Sequence, residues 1–133
     1  MISRRAIREH VFVLLFESMF NDRDEMPEIV KNYFEVLEKP LDDESTEYIR
    51  SRFLKILELK DELDGRIEEN STGWKLGRIG KVELAILRLA VFEICYDDDI
   101  PDKVAINEAV ELAKKYGQEQ AGSFVNGVLA KFA

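Results

Sequence analysis

Arg5, Arg8, Phe12 and Phe16 follow one another at spacings of three and four residues. At 100° per residue on a helix, they fall within a sector of about 80°. Such a strip has a definite chemistry: the cations neutralise phosphates and the flat rings stack on unpaired bases. A plainer reading is equally available. The phenylalanines can widen a core-facing stripe while the arginines are solvated or paired with acidic helices. The residue pattern by itself leaves both open.

Other chemistries fare worse. Gly80-Lys81 lacks the upstream glycine of a phosphate loop, since Lys75 stands there, and Val82 replaces the hydroxyl residue that should follow. Asp97, Asp98, Asp99 and Asp102 lack the spacing, glycine and terminal glutamate of a calcium loop and read as a solvated turn. His10 is the sole histidine, which excludes a multi-histidine metal site or a His-pair mechanism within one chain. Cys95 is the sole cysteine, so an internal disulfide and a Cys-rich zinc site are excluded too. It follows an apolar helix and reads as a small buried hydrophobe. No catalytic residue, metal or cofactor is expected.

The elements that must hold these residues are helical throughout. Ile7, Val11, Leu14 and Leu15 mark the core stripe of a first helix, with Ser3 as N-cap and Asn21-Asp22 as its end. A second helix runs from Pro27 to about Glu38. A third, long one begins after Asp42 or Asp43 and carries Tyr48, Ile49, Phe53, Ile56, Leu57 and Leu63 inward. Gly65 weakens that pattern, and Ile67 belongs to a short separate helix ending near Gly73. Residues 81–96 are apolar nearly all round, as in a central buried helix. A helix over about Val104–Tyr116 stops at Gly117 as a C′ residue, and a last one covers Gln120–Phe132. Asn126 and Gly127 look architectural, with another backbone close to the glycine. Trp74 reads as a staple between the two halves. The expectation is an all-α chain of about seven helices in two small packed helical subdomains, residues 1–63 and 64–133.

Composition bounds the rest. The chain has 133 residues, 46% of them hydrophobic, which suffices for one core without staples. Its formal charge of −8 argues against indiscriminate binding of nucleic acid or anionic membrane. That charge is uneven. Residues 1–16 carry three basic residues and one acidic, whereas residues 17–69 carry eight basic and 17 acidic. Residues 70–94 again run basic, four against two. The opening apolar stretch is broken by Arg8, Glu9 and His10, so no signal peptide is expected. No apolar run approaches membrane-spanning length. The expected location is cytoplasmic.

Three longer motifs carry a resemblance. Residues 81–96 (KVELAILRLAVFEICY), 100–114 (IPDKVAINEAVELAK) and 124–129 (FVNGVL) are similar to the central helix, the most recognisable stretch and the closing motif of the NusB family. With Trp74 upstream and the Arg-rich start, the likeness spans essentially the whole chain. It implies a fold of two packed helical subdomains and a non-enzymatic factor. In the family, that factor binds single-stranded boxA RNA of ribosomal RNA transcripts together with the small-subunit ribosomal protein NusE. The pair promotes read-through by RNA polymerase in an antitermination complex. The resemblance carries RNA-binding roles onto Arg4, Arg5, Arg8, Phe16, Gln120 and Phe124, and partner binding onto Glu83. Ala6 and Ser123 stand where many relatives have basic residues, and Phe16 lacks the hydroxyl of the usual tyrosine. Each lost cation removes a potential phosphate contact. Two further readings accompany the family's: a protein-only helical adaptor, and a homodimer without RNA binding of its own. NusB-like domains also precede a methyl-transfer domain in some ribosomal RNA methyltransferases. With the sequence ending at Ala133, no such methyl-transfer domain is expected.

Overall fold

The computed structural model describes residues 1–132. They form seven α-helices: α1 (Arg4–Ser18), α2 (Met26–Glu35), α3 (Asp43–Glu58), α4 (Lys60–Asn70), α5 (Lys81–Tyr96), α6 (Asp102–Tyr116) and α7 (Ala121–Leu129). Short 3-10 turns precede α2 and α5 and follow α7, and there is no strand among the described residues. The chain divides into two compact units, Met1–Leu57 and Glu58–Ala133. The subdomain line expected from sequence lies at 63/64.

In the first unit the start of α1 is tied down. The Ser3 hydroxyl accepts from Ala6 N at 3.1 Å, as expected of an N-cap. Ile2 N donates to Ser45 Oγ at 2.9 Å, and Ser45 in turn donates to Asp42 Oδ1 at 2.7 Å. These bonds from Ser45 hold the Asp42 carboxyl below its usual range. Asn21 ends α1 by donating its side-chain amide to the Glu17 carbonyl at 2.9 Å. The α1 stripe of Ile7, Val11, Leu14 and Leu15 is buried with Met26, Val30, Ile49, Phe53 and Ile56. Tyr48, expected inward, is 40% exposed, and Arg52 lies over its ring at 5.2 Å.

The third helix is shorter than the sequence pattern suggests. It breaks at Leu59, whose φ of −91° and ψ of 6° leave the α region, and Leu63 and Ile67 both belong to α4. Gly65 does not interrupt anything; it sits exposed within α4. Ile49, Phe53, Ile56, Leu63 and Ile67 keep one angular phase through the break, so periodicity alone cannot register it. Similarly, α2 ends at Glu35, leaving Val36 78% exposed.

In the second unit α5 has the bounds read from its composition, and every residue from Leu84 to Glu93 is buried. One of these, Arg88, pairs with Asp64 of α4 through two bonds of 2.7 and 2.9 Å. Gly117 caps α6 with φ −93° and ψ −179°, an extended conformation and not the left-handed one expected of a C′ glycine. Its glycine identity has another cause: a Cβ there would meet Ala121 Cβ at 2.5 Å and the Ala113 carbonyl at 2.8 Å. In α7 a Cβ at Gly122 would make only an ordinary contact, 3.5 Å from Lys114 Cγ, and one at Gly127 would meet open space. The last helix is also shorter than expected, ending at Leu129 before a 3-10 turn.

Candidate nucleic-acid interface

The strip on α1 separates into a solvated part and a buried part. Arg4 and Arg5 are exposed, in the first turn of the helix. Arg8 is buried at 7% exposure and Phe12 at 3%, so the middle of the strip belongs to the packed interior. Phe16 is half-buried. Its ring stands edge-on to Phe20 at 5.0 Å, and Phe20 is 56% exposed. The phenylalanines at 12, 16 and 20 thus run from core to surface along α1 and into the turn that follows it. Phe20 was not singled out from sequence, although its spacing of four from Phe16 was a visible signal.

Such an arrangement presents two cations at one end of α1 and an aromatic edge at the other. Eleven residues separate Arg5 from Phe16, a rise of about 16 Å on a helix. Beside the strip, His10 Nδ1 lies 2.6 Å from the Tyr33 hydroxyl, and burial pushes the imidazole below its usual range against a small opposing effect of Glu9.

The second unit carries its own set. Gln120 is exposed at the N-cap of α7, and Phe124 is half-buried one turn later. Trp74 meets Phe124 edge-on at 5.8 Å and is 48% exposed. Its ring contact with Phe124 lies within the second unit. Ser123 and Asn126 line an open groove of about 560 Å³ between α6 and α7, together with Lys114, Gly117 and Gly122. Glu83, half-buried in the first turn of α5, folds its carboxylate over Gly80, where a Cβ would collide with it. A negative group there also suits the positive end of the helix dipole.

Elsewhere, the Tyr96 hydroxyl hydrogen-bonds the Glu62 carboxylate, which lowers the Glu62 pKa and raises that of Tyr96. Cys95 is half-buried, its Sγ 3.8 Å from Arg66 Nη1. Among the described residues, no three His, Cys, Asp or Glu side chains are grouped to hold a metal ion. No helix among them is long and apolar enough to cross a membrane.

Fold and site together define an all-helical protein that exposes cations and partly exposed aromatic rings in each of its two units. The NusB family model matches residues 5–133. The transcription antitermination protein NusB of Agathobacter rectalis is 54% identical over 132 residues, covering 99% of this chain and 100% of that protein. The chain therefore belongs to the NusB family. Among solved structures, T. maritima NusB superposes with a TM-score of 0.84 at 36% identity, covering 99% of this chain and 91% of that one. A crystal structure of antitermination factors NusB and NusE in complex with dsRNA is similar at a TM-score of 0.77 and 28% identity, with 97% and 94% coverage.

Proposed function

We propose that this chain, a NusB-family transcription antitermination factor, binds the single-stranded boxA element of ribosomal RNA transcripts jointly with the ribosomal protein NusE. It acts as a non-enzymatic, cytoplasmic component of an antiterminating RNA polymerase complex. The observation that carries the reading is what the two ends of α1 present: Arg4 and Arg5 in its first turn for phosphates, and the Phe16–Phe20 ring pair in and just after its last turn for unpaired bases. Gln120 and Phe124 extend the RNA contact in the second unit, and Glu83 serves the ribosomal protein. The similar structure that holds both NusE and RNA supports this pairing of partners.

Burial of Arg8 favours a packing role for it over direct phosphate contact. With Ala6 and Ser123 also uncharged, few cations remain to hold the backbone. Binding by this chain alone is therefore weak, and the partner supplies much of the affinity. Measuring binding of a boxA oligonucleotide with and without the ribosomal protein tests this. Tight, partner-independent binding overturns the dependence. No RNA binding even with the partner present leaves a protein-only adaptor, and a duplex of the same sequence serves as the control for single-strand selectivity.

A further inference from the structure

The stretch between α4 and α5, residues 71–81, contains Lys75, Arg78 and Lys81 and no acidic residue. It is a built loop. Gly73 turns the backbone at φ 77°, Trp74 N donates to the Ser71 carbonyl at 2.8 Å, and Leu76 N donates to Glu68 Oε2 at 3.0 Å. Ser71 is itself buried, its hydroxyl donating to the Ile67 carbonyl at 2.6 Å. Thus the loop is anchored to the last turns of α4, and a following 3-10 turn at Leu76–Arg78 fixes where its cations emerge.

On this frame Trp74 is held out into solvent with its ring edge-on to Phe124. Lys75 and Arg78 are exposed, and among the described residues neither makes an ion pair. Lys131 reaches the same loop from beyond α7, bonded to the Thr72 hydroxyl. An exposed indole leaves apolar surface in water that a packed one buries. Cations flanking a flat, half-exposed ring match the needs of an unpaired nucleotide: charge for the phosphate and a π-face for the base.

We propose that the 73–78 loop is a second single-stranded RNA contact, in which Trp74 stacks on an unpaired base and Lys75 and Arg78 hold the adjoining phosphates. The inference rests on the RNA-binding function proposed above and adds to it a base-stacking platform outside α1. Its occupant is RNA, because cations beside the half-exposed Trp74 ring are the combination an unpaired nucleotide needs.

Trp74 is the only tryptophan, so it reports on itself. A boxA oligonucleotide titrated into the full chain, with the ribosomal protein present, should quench a fluorescence signal that Trp74→Phe lacks. Trp74→Ala should weaken RNA binding by about five- to a hundredfold, with Trp74→Phe retaining most of it. The double variant Lys75→Gln/Arg78→Gln should flatten the log–log salt dependence by about 1.4, at roughly 0.7 per single-strand phosphate contact. If Arg5→Ala weakens RNA binding while Trp74→Ala and the double variant leave it unchanged, the loop contact is overturned and the functional reading stands. Loss of ribosomal-protein binding with RNA affinity intact also overturns it, making the loop a protein contact. Absence of RNA binding by the wild-type chain overturns both.

Discussion

Arg5 and Arg8 lie three residues apart on α1, yet the fold gives them different work. Arg5 is exposed and Arg8 is 7% exposed, so one can reach a phosphate and the other packs its stem within the protein. Arg5→Ala should reduce boxA affinity and its salt slope by about 0.7, with little change in melting temperature. Arg8→Ala should instead lower stability by about 1–3 kcal/mol, since a buried side chain and its packing are lost. Thermal melts beside RNA titrations separate the two; equal behaviour of the pair would contradict their different burial. His10 gives a pH signature at the same scale. Unfolded, it titrates near 6.5, and burial lowers that value in the fold. Its contribution to stability is therefore complete above about pH 6.5 and is lost as pH falls through the lower folded value. His10→Gln should remove that part of the pH dependence, read as the difference in melting temperature between about pH 7.5 and 5.5.

Elements hold these residues in place, and α5 is the one on which the second unit depends. Ten consecutive residues of α5 are buried, including the Arg88 that Asp64 neutralises through two short bonds. Removing one partner strands a buried charge. Arg88→Ala should cost about 3–5 kcal/mol, whereas replacing both partners with apolar residues of similar volume should recover much of that loss. Urea denaturation of the single and double variants reads the difference as a shift in midpoint at unchanged slope. The bounds of α5 were legible because an all-round apolar run has one physical meaning. The break at Leu59 was not, because a hydrophobic stripe records which face is buried and says nothing of where the backbone leaves helical geometry. Glycines misled in the same way. Sequence marks Gly65, Gly117 and Gly127 alike, but only Gly117 is required by a close approach.

For the molecule as a whole, the −8 charge concealed the candidate interface. The acid is concentrated in residues 17–69, between two stretches that run basic. An acidic background of this kind discourages indiscriminate RNA binding and suits a basic ribosomal protein. Glu28, Glu35 and Glu38 are exposed on and just after α2. Converting all three to glutamine should raise affinity for unrelated RNA several-fold at low salt, and leave thermal stability nearly unchanged. Competition between boxA and unrelated RNA measures it; unchanged selectivity would show that the acidic block has no such role.

The sequence by itself determined that the chain is all-helical, that the 81–96 helix is buried, and that family motifs run its whole length. Each of those rests on periodicity, composition or ordered motifs, which are properties of neighbours along the chain. Only the tertiary structure decided which members of the α1 strip reach solvent, burying Arg8 and Phe12, half-burying Phe16 and leaving Arg5 outside. It alone brought Trp74 to Phe124, fifty positions on, and left its ring about half exposed. Exposure depends on what packs against a residue from distant positions, and no local pattern carries that.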